Sequence, residues 1–169
     1  LHYPLRRQRQ MCIRDRITVA GVPDVPGKAA EIFKIVARSG ANVDMIVQNV
    51  SATGRTDISF TVPKADSAAA LKALAGEQTE VGFQNLVHDD QIGKLSVVGA
   101  GMRTHSGVSA VLFEALSAGG INIEMISTSE IRISVVLRDT DLAEAARTVH
   151  TAYGLDGDAE ATVHAGTGR

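Results

Sequence analysis

Residues 21–33, GVPDVPGKAAEIF, are echoed by residues 101–113, GMRTHSGVSAVLF. The offset is constant: Gly21 answers Gly101, Gly27 answers Gly107, Ala30 answers Ala110 and Phe33 answers Phe113. Residues 40–46, GANVDMI, are answered at the same offset by residues 120–126, GINIEMI. A period this long, used twice, signals two copies of one small domain rather than a solenoid. Each copy is near the lower size at which a single core stabilises a fold. The two copies are therefore expected to pack together or on a partner. The division this predicts is a leader over residues 1–16, a first domain over 17–91 and a second over 92–169.

Within each copy the pattern reads strand, helix, strand, strand, helix, strand. Residues 17–22 alternate as a first strand. Val25-Pro26-Gly27 then opens a helix, with proline suited to the first helical position. Ala29, Ile32, Phe33, Val36 and Ala37 share one face of that helix. Val43, Met45 and Val47 alternate with Asp44, Ile46 and Gln48, and Ile58, Phe60 and Val62 form a partner strand across a hairpin at residues 52–55. A second helix is expected over residues 67–75 and a fourth strand within 80–88. The second copy predicts strands over residues 95–100, 121–127 and 131–137, and a helix capped by Ser106. Its last helix is striped by Leu142, Ala145, Ala146 and Val149, and a short final strand follows over residues 161–165. The order βαββαβ predicts an α+β fold: tandem ferredoxin-like units, each an antiparallel sheet with helices on one face. That fold carries many functions, so function must be sought in the sites.

Composition removes several classes. The formal net charge is −2. The leader, LHYPLRRQRQMCIRDR, holds five arginines against one aspartate, so the rest of the chain is more acidic than the total. An acidic body argues against a nucleic-acid surface. The leader lacks the apolar core of a secretory signal and reads as a disordered or foreign tail. The single cysteine, Cys12, allows no internal disulfide, which suits a reducing, cytoplasmic setting. No apolar run is long enough to span a membrane. The five histidines, His2, His88, His105, His150 and His164, have no metal-ligand spacing and read as surface or turn residues. Neither a P-loop nor a Gly-x-Ser-x-Gly nucleophile motif occurs. Neither a catalytic residue, a metal nor a cofactor is expected.

The chemistry-bearing feature is the repeated loop between the first strand and helix. A helix N-terminus there offers backbone N–H groups to a carboxylate or phosphate. Gly27 and Gly107 let a ligand approach closely, and Asp24 stands beside the loop where an ammonium group would be held. Asn42 and Asn122 open the next strand and can donate and accept. Carboxylate and ammonium recognition side by side describes a free amino acid. The residues leave another reading open: Asp24 as a helix cap and the glycines as turn formers. Gln48, Ser51, Thr128, Ser129 and Glu130 are polar groups on or beside strands, equally consistent with a solvated sheet edge.

The segments GVPDVPGKAAEIF, NVDMIVQNVS, DDQIGKLSVVGAGM, SGVSAVLFEAL and NIEMISTSEIRISVV, with the terminal AGTGR, resemble the paired ACT domains of aspartokinases. The likeness runs over residues 17–169 and is greatest to the regulatory β subunit of the α2β2 type. The resemblance implies feedback control of aspartate phosphorylation by lysine, threonine or both. It also implies pairing of the sheets in a homodimer and a catalytic aspartokinase subunit as partner. It carries effector roles onto Asp24, Gly27, Lys28, Ala29, Asn42, Val43, Asp44 and Gln48 of the first repeat. In the second it carries them onto Ser106, Gly107, Val108, Asn122, Ile123, Glu124, Thr128 and Ser129. Ser51, Ser59 and Gly93 match positions associated with feedback control. The Lys-Phe-Gly-Gly-Thr nucleotide loop of the kinase domain does not occur, so the implied role is regulation without phosphorylation. An ACT regulator of another amino-acid enzyme and a ligand-free dimerisation module remain as alternatives.

Overall fold

The structure is a computed structural model that describes residues 8–49, 53–99 and 107–154. The elements in chain order are β1 (Gln8–Pro23), α1 (Lys28–Arg38), β2 (Met45–Gln48), β3 (Arg55–Val62), α2 (Lys64–Gly76), α3 (Gln78–Val81) and β4 (Asn85–Val98), followed by α4 (Val108–Ala118), β5 (Met125–Thr128), β6 (Arg132–Arg138) and α5 (Leu142–Ala152). The described residues divide into two compact units, one within Arg14–Gln91 and a second made of residues 8–13 with 92–99 and 107–154.

In the first unit the strand order is β2-β3-β1-β4. β3 pairs antiparallel with β1 on one side, Ile17 facing Phe60, and with β2 on the other, Gln48 facing Ile58. Ile17, Val19, Ile58, Phe60 and Val62 turn to the helices and meet Ile32, Ile35, Val36, Ala70 and Leu74. With few aromatics available, one edge-to-face pair anchors this core. The rings of Phe33 and Phe60 lie 5.5 Å apart at 66°. Cross-strand polar pairs tie β1 to β4. His88 Nε2 lies 2.8 Å from Oδ2 of the buried Asp15, and Arg16 meets Asp89 at 2.9 Å.

In the second unit β4 is followed by β6 and β5, with Leu95 facing Val135 and Ile126 also facing Val135. Its core joins Leu95, Val97, Ile133, Val135 and Leu137 to Leu112 and Leu116 of α4 and to the α5 stripe, Leu142, Ala145, Ala146 and Val149. Each unit thus has the α+β plan expected from the sequence.

The element boundaries differ from expectation in physical detail. The two strands expected within residues 80–88 and over 95–100 are one strand, β4, because the polar run Asp89-Asp90-Gln91 has no proline to break the ladder. The leader is not all disordered tail: from Gln8 onward it continues β1, and residues 8–13 group with the second unit. Arginine content hides this, since strand pairing depends on backbone groups and Ile13, for one, stays 63% exposed. Ile35, rather than Ala37, completes the buried face of α1. The last strand expected at residues 161–165 lies outside the described residues.

Gly93 is a packing position. A Cβ placed there meets Leu142 Cδ2 at 2.7 Å and Cδ1 at 3.2 Å, and Leu142 is itself buried. Gly93→Ala is expected to destabilise the second unit by an amount in the lower half of the ~1–3 kcal/mol typical of overpacking, because only the end of Leu142 must move. A denaturant titration showing wild-type stability would disprove this contact.

Candidate functional site

The β1–α1 loop of the first unit closes one side of a pocket of about 330 Å³. This is at the small end of the range for small-molecule sites. Its wall runs through Val22, Pro23, Asp24, Val25, Pro26, Gly27, Lys28 and Ala29, and its floor is Gln48 of β2 with Thr56 and Ile58 of β3. The floor follows from strand alternation. Gln48 faces Ile58 across the ladder, and Thr56 and Ile58 point to the same side. Thr56 Oγ1 donates to the Asn49 carbonyl, which fixes its orientation at the end of β2.

The start of α1 explains why the loop stays open. The N-cap is Gly27, at φ 98° and ψ −22°, and no side chain caps the helix. Gly27 takes the left-handed region that favours glycine, and a Cβ there would meet nothing within 4 Å. The carbonyl of Gly27 accepts from Glu31 N at 3.0 Å, which starts the helix. The proline expected at the first helical position instead lies before the cap, in the turn whose carbonyl at Val25 accepts a long bond from Lys28 N at 3.4 Å. Asp24 is therefore not a helix cap. Its backbone N–H is bonded to Gly54 O at 3.0 Å, and its side chain is exposed at the pocket wall. Lys28 is neutralised by Glu31 one turn on, Nζ to Oε2 at 2.7 Å. The pocket thus combines one carboxylate, a helix N-terminus with uncapped N–H groups, an amide, a hydroxyl and apolar walls.

The second repeat reproduces the same start. Gly107 is the N-cap of α4 at φ 104° with no side-chain cap, and Val111 N donates to Gly107 O at 3.0 Å. Ser106, expected as the cap, does not fill that position and itself lies outside the described residues, as does Ser51. Val108 is held through its carbonyl by Tyr153 Oη at 2.5 Å. Thr128 stands opposite Ile133 as Gln48 stands opposite Ile58. Ser129 makes the hairpin turn, its N–H donating to Arg132 O at 2.7 Å.

The expected residues therefore separate into two groups. Asp24, Gly27, Lys28, Ala29 and Gln48 come together around one pocket. Asn42, Val43 and Asp44 do not line it, because α1 rises about 16 Å between Gly27 and the turn that holds them. Asn42 N donates to Asp66, Val43 packs against the core, and Asp44 pairs with Arg14 at 3.5 Å. The corresponding turn of the second repeat behaves alike: Asn122 is exposed, Ile123 packs on its core, and Glu124 binds Arg138 at 2.7 Å. Ser59 lies on the opposite face of β3 from the pocket, sharing a 2.8 Å hydroxyl contact with Thr18. Val22 lines the pocket from within the repeated loop segment, and Thr56 and Ile58 line it although no motif marks them. The register of the β2–β3 hairpin is the signal that places the two β3 residues there. Among the described residues no cluster of side chains fits a metal ion, and no helix is long and apolar enough to cross a membrane.

A family model described as the ACT domain matches residues 17–78 and 95–153. Aspartokinase of Mycobacterium bovis is 54% identical over 156 residues, covering 91% of this chain, and that of Corynebacterium efficiens is 49% identical over the same span. The chain spans 37% of the length of these relatives. Among solved structures, the regulatory subunit of aspartate kinase from Thermus thermophilus, in a ligand-free form, superposes with a TM-score of 0.81 at 38% identity. That match covers 86% of this chain and 96% of that one. A chain from a structure of aspartokinase alpha and beta subunits gives the same TM-score at 43% identity, covering 87% of this chain and 97% of that one. The part of an aspartokinase matched here is the regulatory part and not the kinase domain. Two glycine-capped α+β units with this likeness place the chain among the aspartokinases, as a regulatory portion built of two ACT domains.

Proposed function

We propose that the chain senses an end-product amino acid for an aspartate kinase in the cytoplasm, taking threonine or lysine at the β1–α1 loop and passing the signal to a catalytic portion. The observation that carries this reading is the pocket beside the uncapped start of α1, with Asp24 on its wall. An α-carboxylate suits the helix N–H groups. An α-ammonium group suits Asp24, and the effector's side chain would then meet Gln48, Thr56 and Ile58. The repeated Gly107 cap supports a second site of the same kind in the second unit. Pairing of two copies through their sheets and assembly with a catalytic subunit belong to the same reading, supported by the alpha and beta subunits named in one related structure.

Titration calorimetry with lysine and threonine, separately and together, tests it. A saturable heat for at least one of them is expected, whereas glycine and glutamate at equal concentration should give none. Absence of binding by both would reject the reading. The pure chain is expected to make no aspartyl phosphate from aspartate and ATP. Phosphate transfer by the chain alone would overturn a purely regulatory role.

A further inference from the structure

β1 does not run straight into the pocket. Its pairing with β3 slips between Val19, which faces Ile58, and Val22, which faces Thr56. Ala20 and Gly21 thus stand against the single residue Asp57, an arrangement that constitutes a bulge. Gly21 sits in it at φ 66°. Three polar groups of the bulge are claimed from outside β1. Gly21 N donates to Asp57 Oδ1 at 2.8 Å, and Arg55 Nη1 donates to Gly21 O at 2.5 Å. Ala20 O accepts from Gln84 N at 2.9 Å. The same Arg55 nitrogen also reaches Gly82 O, at the end of α3, at 3.2 Å.

Arg55 and Asp57 flank Thr56 in β3 and so point to the opposite side of the strand. Neither lines the pocket. They act on it through the backbone. Gly21, whose N–H and C=O they hold, is followed at once by Val22, Pro23 and Asp24, three consecutive wall residues. A bulge commonly re-aims the residues that follow it. Here its direction is set by one acceptor and one donor from β3.

We infer that Asp57 and Arg55 are positioning residues of the amino-acid pocket, which aim the Val22–Asp24 wall by gripping the two sides of the Gly21 residue. This rests on the effector reading above and adds to it the residues that set the geometry of the site. Any movement of α3 relative to β3 would reach the pocket through the shared Arg55 guanidinium.

The test compares Asp57→Ala with Asp57→Asn in the whole chain, far below the melting temperature. Asparagine keeps an acceptor for Gly21 N–H, and alanine does not. Asp57→Ala is expected to weaken threonine or lysine binding about tenfold, as loss of one hydrogen bond to a charged group would, with Asp57→Asn within about threefold of wild type. A merely structural role would lower stability without separating these two affinities. Wild-type affinity in Asp57→Ala, or equal losses in both variants, overturns the inference. Arg55→Met serves where Asp57→Ala does not fold, with Arg55→Lys as its conservative control.

Amide exchange makes the test independent of the effector. The Asp24 N–H, bonded to Gly54 O, should exchange faster in Asp57→Ala and at the wild-type rate in Asp57→Asn. If wild-type chain binds neither amino acid, the effector reading fails while this exchange still decides the positioning role. An unchanged rate in Asp57→Ala then overturns that too.

Discussion

Asp24→Ala is expected to weaken threonine or lysine binding by roughly ten- to a hundredfold while leaving stability within about 0.5 kcal/mol of wild type, as for other exposed substitutions. The binding loss is that of one charge-assisted hydrogen bond, roughly 1.5–3 kcal/mol, at about 1.4 kcal/mol per tenfold. The unchanged stability follows from the structure: the cap of α1 is Gly27, no side chain caps that helix, and Asp24 is exposed. A capping aspartate would behave oppositely, costing about 1 kcal/mol of stability and little affinity. Paired calorimetry and chemical denaturation of one variant therefore separate the two roles. Normal affinity with early unfolding would sink the sensor assignment. Asp24→Asn refines the result, since it keeps a hydrogen-bond acceptor and removes the charge. If the ammonium group is held mainly by charge, the asparagine variant should resemble alanine. In an assembled enzyme, inhibition should fall with affinity, because an effector shifts a two-state equilibrium only by its differential binding.

The fold is legible in the sequence because its signals are local and doubled. Strand alternation in Ile58, Phe60 and Val62 and the α5 stripe of Leu142, Ala145, Ala146 and Val149 each reach the core as expected. Sequence is a poorer guide to where one element yields to another. Nothing in Asp89-Asp90-Gln91 announces a strand, since its pairing comes from neighbours distant in sequence. The leader misleads for the same reason: five arginines describe side chains, while β1 is held by backbone pairing.

The site is half legible. Of the residues around the pocket, Gly27 and Asp24 are marked by the repeated loop, because the same glycine-started helix recurs at Gly107. Thr56 and Ile58 cannot, because their place in the pocket depends on the register of β3 against β2. Nor can the bulge at Gly21, which needs the slip between Val19 and Val22 to be seen. Asn42 and Asp44 show the converse. Repetition marks them, but repetition also preserves a turn, and the structure gives Asp44 and Glu124 arginine partners at the far end of their helices.

Phe60→Ala is expected to cost about 3–5 kcal/mol, the largest effect of any single truncation in the first unit. Phe60 is fully buried, faces both Ile17 and Ile46 across its two ladders, and meets Phe33 edge to face. Whole domains are stable by only about 5–15 kcal/mol. A unit as small as Arg14–Gln91 belongs toward the lower end of that range, because small cores bury less of their surface. The variant should thus lose a third or more of its stability, read as a lower denaturant midpoint. β3 also supplies Thr56 and Ile58 to the pocket, so binding of the proposed effector there should be linked to folding of this unit. An effector that binds only the folded unit returns about 2.7 kcal/mol at a hundredfold excess over its dissociation constant. That is less than the expected loss, so threonine or lysine should raise the midpoint of Phe60→Ala without restoring it to the wild-type value. Leu116→Ala, a truncation of a fully buried residue in the core of the second unit, gives the comparison. Rescue of Phe60→Ala alone would place the effector in the first unit, and rescue of both would give each glycine-capped loop its own ligand. Rescue of Leu116→Ala alone would move the site to the second unit and refute the pocket at Asp24.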